Sequence, residues 1–123
     1  MKHKILIVDD EPNILMSLEY AFKKQDFQVF IARDGSEALN ILGHHIPDIV
    51  LLDIMMPNVD GYQTLKHIKN TIRLKATKIV FLTAKNKASD IEKGLKLGAD
   101  KYLIKPFSVK KIILEILELI TIK

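Results

Sequence analysis

The stretch that decides the fold is ILIVDDEP, residues 5–12: four apolar residues run directly into three acids, Asp9, Asp10 and Glu11, and then a proline. An unbroken apolar run, without the polar alternation of a half-exposed strand, is the mark of a strand covered on both faces, as in a parallel sheet. Pro12 has a fixed φ and no N–H to leave unpaired, so it suits the first turn of a helix. The stretch therefore reads as strand, short loop and helix, with the acids in the loop. Adjacent carboxylates beside a core repel one another and lose hydration. Something positive must compensate for them.

The same alternation continues along the chain. Apolar, β-branched runs are found at His3–Val8, Phe27–Ala32, Asp48–Leu52, Lys78–Leu82 and Lys101–Ile104. Segments of helical period lie between and after them. Ile14, Leu15, Leu18, Ala21 and Phe22 mark the first helix, and Ser36–Leu42 a short second one ending at Gly43. Gly61–Ile72 is the third and Ser89–Leu97, stopped by Gly98, the fourth. Ser108 can cap a fifth, with the stripe Val109, Ile112, Ile113, Ile116, Leu117 and Ile120. Five strands alternating with five helices predict a doubly wound α/β sandwich, (βα)5, around a parallel sheet. Right-handed crossovers at this size favour the flavodoxin-like strand order 2-1-3-4-5. Connections are short and no linker or repeat interrupts them, so residues 1–123 read as one domain.

Composition agrees and narrows the function. Hydrophobic residues make up 48% of the chain, enough for a substantial core, and the absence of cysteine excludes disulfides and thiolate metal sites. No apolar stretch is long enough to span a membrane, and the N-terminus lacks a signal-peptide pattern, so a soluble, cytoplasmic protein is expected. The net charge of +4 is unevenly spread. Residues 1–60 carry 5 bases and 10 acids, whereas residues 61–123 carry 14 bases and 5 acids. The bases are mostly single lysines without interleaved aromatics, which argues against a nucleic-acid surface. The four histidines form no ligand spacing with the acids, and His44–His45 reads as a solvated loop.

In sheets of this kind ligands bind beyond the carboxyl ends of the strands. The residues there are Asp9, Asp10 and Glu11 after the first strand, and Asp53 after the third. Thr83 and Ala84 follow the fourth, and Lys105 and Pro106 the fifth. Taken singly, most have ordinary readings: Asp9 and Asp10 favour a helix start, Lys105 is a solvated lysine, and Tyr102 packs with a wet hydroxyl. Converging on one rim, they read differently. Several carboxylates around one point call for a cation, and few, hard oxygen ligands suit Mg²⁺. Asp53, slightly apart, can act as a nucleophile toward phosphorus, with Lys105 and Thr83 stabilising the equatorial phosphoryl oxygens.

The motifs VDDEP, DIMMPNVDG, FLTA and GADKYLIKPF, in this order and in register with the strand ends, resemble a response-regulator receiver domain of two-component signalling. The resemblance covers essentially the whole chain. It implies that Asp53 is the phosphorylation site, and that Asp10, Asp53 and the Met55 carbonyl ligate Mg²⁺ while Asp9 acts largely through a metal-bound water. It implies that Lys105 pairs with Asp53 and then with the phosphoryl group, that Lys105–Pro106 is cis, and that Thr83, with the backbone around Ala84, and Tyr102 form a switch. The phosphoryl donor would be a sensor histidine kinase or a histidine phosphotransfer protein. Its specificity would lie on the exposed face of the first helix, including Asn13, Ser17 and Tyr20. The output would be read from the fourth helix, fifth strand and fifth helix by a downstream protein or an output domain. A stand-alone receiver is the favoured arrangement.

The chain departs from relatives that dimerise through that output face. Lys101 and Lys111 stand where acids are usual, Glu115 where an arginine is, and Ile91 where a base is. The expectation is that this dimer does not form. Leu114 and Ile122, opposite the core stripe of the fifth helix, hint at a protein partner instead. Met55 offers no polar group to orient a water near Asp53, and Lys85 lies two residues beyond Thr83, so no unusually fast loss of the phosphoryl group is expected. Three rivals remain. An aspartate-nucleophile phosphohydrolase would need an acid where Met55 stands. A flavin module would need a glycine- and hydroxyl-rich first loop in place of DDEP. An unphosphorylated interaction scaffold would need none of Asp53, Thr83 or Lys105.

Overall fold

The computed structural model describes residues 2–56 and 59–121. Five strands, β1 (Lys4–Val8), β2 (Gln28–Ala32), β3 (Ile49–Leu52), β4 (Lys78–Thr83) and β5 (Lys101–Ile104), form one parallel sheet in the order β2-β1-β3-β4-β5. Helices α1 (Pro12–Lys24), α2 (Gly35–Leu42), α3 (Gly61–Lys69), α4 (Ala88–Lys96) and α5 (Val109–Thr121) connect and cover it. This is the flavodoxin-like (βα)5 sandwich expected from the sequence.

Each strand feeds both layers of core because successive side chains point to opposite faces. Leu6, Val8, Val50, Leu52, Ile79 and Phe81 pack with Ala38, Leu42, Leu65 and Ile68 on one side. Ile5, Ile7, Ile49, Leu51, Val80 and Leu82 pack with Leu15, Leu18, Phe22, Ile112 and Ile116 on the other. Each fully buried Val, Leu, Ile or Phe among them stabilises the fold by roughly 1.5–3 kcal/mol. Two-sided burial is why the strands read as continuous apolar runs.

Local signals set the helix ends. Pro12 occupies the first turn of α1, and Asp34 caps α2 by accepting from the Glu37 N–H. Asp60 and Gln63 form a reciprocal capping box on α3. Ser108 Oγ accepts from the Lys111 N–H at 3.1 Å and caps α5 as expected. Gly98 follows α4 with φ of 111°, a backbone that L side chains avoid.

The third helix is shorter than its apolar period predicts. It ends at Lys69, Asn70 takes the C-cap, and the Thr71 hydroxyl turns back to the His67 carbonyl. Ile72–Leu74 then form a separate 3₁₀ turn in which Leu74 is buried and Ile72 is 90% exposed. Ile72 continues the periodicity of α3 without joining its packed face. The guanidinium of Arg73, in the same turn, donates to the carbonyl of Leu42 at the end of α2. Leu114 on α5 is 57% exposed, and Ile122 lies outside the described residues.

Candidate functional site

Strand register places the chemistry. Val8 lies beside Leu52, Leu52 beside Phe81, and Thr83 beside Ile104, so the carboxyl ends of β1, β3, β4 and β5 form one rim. Backbone pairing continues one residue past three of these ends. Asp9 N–H donates to the Ala32 carbonyl (3.1 Å), Asp53 N–H to Val8 (3.0 Å) and Lys105 N–H to Thr83 (2.9 Å). The three charged residues thus leave the rim from backbone held by the sheet itself rather than from free loop.

Their side chains converge. Asp9 and Asp53 are almost fully buried, at 2% and 4% exposure, whereas Asp10 and Glu11 are exposed. Carboxylate oxygens of all four lie within 4.8 Å of one another. The Lys105 ammonium sits among them, 2.9 Å from Asp9 Oδ2, 3.1 Å from Glu11 Oε1 and 3.2 Å from Asp53 Oδ2. Lys105 is the positive group that the acids of the opening stretch require. Backbone amides add to it: Glu11 N–H donates to Asp9 Oδ1 at 2.9 Å and Met55 N–H to Asp53 Oδ1 at 3.2 Å. Lys105–Pro106 is cis, as expected.

The balance is incomplete. Burial pushes the Asp9 carboxyl above its ordinary pKa, and the hydrogen bonds from Lys105 and the Glu11 amide only partly oppose this. For Lys105, burial lowers the pKa, but the hydrogen bond to Asp9 and the charges of Asp53 and Asp9 outweigh it and hold the ammonium protonated well above its usual range. One ammonium against four carboxylates leaves excess negative charge on a rim of hard oxygen donors. That donor set fits Mg²⁺. Glu11 is the member that the sequence reading did not assign; its place in the acid run was the available signal, but its contact with Lys105 needs the fold.

Thr83 is fully buried at the end of β4. Its Oγ1 accepts from the Lys85 N–H at 3.4 Å, and the Lys85 carbonyl accepts from the Tyr102 hydroxyl at 2.9 Å. A short chain of contacts therefore joins Thr83 to Tyr102 through the backbone of one residue. The Tyr102 ring packs edge-on against Phe81, with centroids 5.7 Å apart, and burial raises its phenol pKa to about 12. Ala84 is exposed and borders a cleft of about 560 Å³ between α1 and the start of α5, lined also by Glu11, Asn13, Ser17, Lys105 and Phe107. On the other face of the sheet, Asp10, Met55, Asp60, Tyr62, Lys85 and Lys93 line a second cleft of about 590 Å³.

A buried acid–ammonium constellation thus lies at the carboxyl rim of a 2-1-3-4-5 sheet, the edge beyond which ligands bind in sheets of this kind. The family model for the response regulator receiver domain matches residues 5–117, and this chain belongs to that family, a family of two-component signalling. Solved structures agree. The chemotaxis response regulator CheY4 of Vibrio cholerae is 26% identical, with a TM-score of 0.90 over 96% of this chain and 98% of that one. The receiver domain of the Francisella response regulator 1452 is 31% identical, with a TM-score of 0.88 and 96% of each chain covered. The response regulator DrrB of Thermotoga maritima, described as an OmpR/PhoB homologue, is 30% identical with a TM-score of 0.89; 98% of this chain matches 54% of that chain. Among the described residues no helix is long and apolar enough to cross a membrane.

Proposed function

We propose that residues 1–123 are a receiver that accepts a phosphoryl group on Asp53 from a sensor histidine kinase or a histidine phosphotransfer protein. The observation that carries this reading is the three-way contact of Lys105 with Asp9, Glu11 and Asp53. Asp53 is buried, accepts a hydrogen bond from the Met55 N–H at one oxygen, and lies beside a cation able to take up phosphoryl charge. Asp9, Asp10, Asp53 and the Met55 carbonyl would hold Mg²⁺, which when bound neutralises charge on the carboxylates and on the transferring group. An Asp53 carboxylate oxygen forms the new bond to phosphorus as the bond to the donor's leaving atom breaks. Lys105 then follows the charge from the carboxylate to the phosphoryl oxygens.

Thr83 is the neighbour whose hydroxyl turns to a phosphoryl oxygen. In doing so it gives up the Lys85 amide, the residue on which Tyr102 rests. That shift carries the signal to α4, β5 and α5, where a downstream protein or output domain reads it. Asn13, Ser17 and Tyr20 on α1 select the kinase. This cytoplasmic module acts as a phospho-acceptor rather than as an enzyme turning over substrate, and it binds neither nucleic acid nor membrane. Incubation with Mg²⁺ and acetyl phosphate, followed by intact mass spectrometry, tests the assignment. One added phosphoryl group is expected, absent with EDTA and absent from Asp53→Asn. An adduct that persists in Asp53→Asn would refute it.

A further inference from the structure

We propose that the end of α3 and the turn after it form a docking surface for an acidic protein segment that carries an apolar side chain. This surface lies at the opposite end of the sheet from the acceptor rim. Between Asp60 and Asp90 the chain holds seven bases and no acid. The end of α3 and its turn present four of these bases, Lys66, Lys69, Arg73 and Lys75, about one apolar residue, Ile72, and all five are exposed. At 90% exposure, Ile72 is the most exposed large hydrophobic side chain among the described residues.

The turn fixes this arrangement outward. Leu74 is buried beneath it, so the chain is pinned while Ile72 faces away. Leu74 N–H donates to the Thr71 carbonyl at 2.9 Å, and Lys75 N–H to the Ile72 carbonyl at 3.1 Å. Arg73 reaches the Leu42 carbonyl at the end of α2, which engages only part of its donor fork. Lys69 reaches the end of α4: a β-carbon on Gly98, just past that helix, would lie 2.8 Å from Lys69 Cε. The bases thus span the carboxyl ends of three helices.

None of the four forms an ion pair among the described residues. Lys23, Arg33 and Lys96, by contrast, each pair with an acid four residues away. The acids that precede β3 and β5 are already engaged: Asp48 accepts from the Lys4 N–H at 2.7 Å and Asp100 from the Ile79 N–H at 2.8 Å. A helix C-terminus favours cations, which accounts for Lys66 and Lys69. It does not account for Arg73 and Lys75, beyond the helix, nor for Ile72. Unpaired bases about an apolar centre complement acidic side chains that flank a hydrophobic one. Residues 66–78 hold no Phe, Tyr or Trp on which nucleic-acid bases could stack, so a protein segment fits better. The six residues of β4, spanning roughly 17 Å, separate this pole from Thr83 at the acceptor rim, so docking does not require phosphorylation.

The probe is a fluorescein-labelled peptide of aspartates and glutamates around a single leucine, followed by anisotropy at low salt without a phosphodonor. Saturable binding is expected. Lys69→Glu combined with Lys75→Glu should weaken it at least about tenfold, and Ile72→Ser about three- to tenfold. A peptide with serine in place of leucine should bind the wild type more weakly and no longer distinguish it from Ile72→Ser. The substituted positions are exposed, so the variants should keep the wild-type melting temperature, which separates lost docking from lost folding. No saturable binding, equal binding by the wild type and the charge-reversed variant, or binding only after treatment with Mg²⁺ and acetyl phosphate overturns the inference. Tighter binding of single-stranded DNA of equal charge, abolished by the same substitutions, also overturns it and assigns the surface to nucleic acid.

Discussion

Lys105 holds the site together. Its side chain is only 13% exposed, and its ammonium is shared among Asp9, Glu11 and Asp53. Removing it would leave two buried carboxylates facing each other with amide donors alone. Breaking a buried ion pair on one side costs up to about 3–5 kcal/mol, and this rim is open enough to solvent that about 2 kcal/mol is the better expectation. Lys105→Met should therefore lower the melting temperature in EDTA by roughly 5–10 °C. Because the carboxylates are left more negative, Mg²⁺ should bind the variant more tightly and recover most of the loss. Thermal melts with and without Mg²⁺ check this, and an equal loss in both conditions would contradict it. At this scale the sequence was informative about identity and blind to contact. Asp9, Asp10, Asp53, Thr83 and Lys105 could be picked out because each follows a strand. That Asp9 is buried, Asp10 exposed and Glu11 drawn onto Lys105 depends on side-chain packing that no spacing encodes.

Among the elements, α3 starts directly against the backbone of the acceptor. Gly61 opens that helix where a β-carbon would run into the backbone carbonyl of Asp53 and lie 2.6 Å from the Ile54 Cα. The sequence reading starts the third helix at Gly61, and the structure gives the reason for a glycine there: only a missing side chain lets α3 start against the strand end that carries Asp53. Gly61→Ala must push backbone apart, so it should destabilise the fold by about 1–3 kcal/mol and slow phosphorylation of Asp53. Denaturant unfolding and the phosphorylation rate measure the two effects. Full stability together with a wild-type rate would show that the contact is not limiting. Element boundaries were legible where capping chemistry marked them, as at Pro12 and Ser108. They failed at the end of α3, where Ile72 keeps the period while the chain has already turned, and where Leu74 and Arg73 take up contacts with distant residues.

For the whole molecule, strand order followed from the alternation of elements, and the apolar runs from burial on both faces. Partner choice does not follow from the fold, and here surface charge is the guide. On β5 and α5 the Lys101 ammonium contacts Glu115 at 2.6 Å and Glu118 at 3.7 Å within the same chain. The hydrogen bond to Glu115 is the main cause of the raised pKa of Lys101. Charges already paired internally contribute little to a symmetric contact. The phosphorylated protein is accordingly expected to remain monomeric at tens of micromolar in equilibrium sedimentation. A tight symmetric dimer through α4, β5 and α5 would contradict that expectation.

The central claim is that Asp53, and not a neighbouring acid, carries the phosphoryl group. It is tested most directly by reducing the Mg²⁺ and acetyl phosphate product with borohydride and mapping its peptides. An acyl phosphate on aspartate is converted to homoserine, so the account predicts homoserine at position 53 and unmodified aspartate at positions 9 and 10. Homoserine at either of those positions, or a phosphorylated peptide without Asp53, would contradict it.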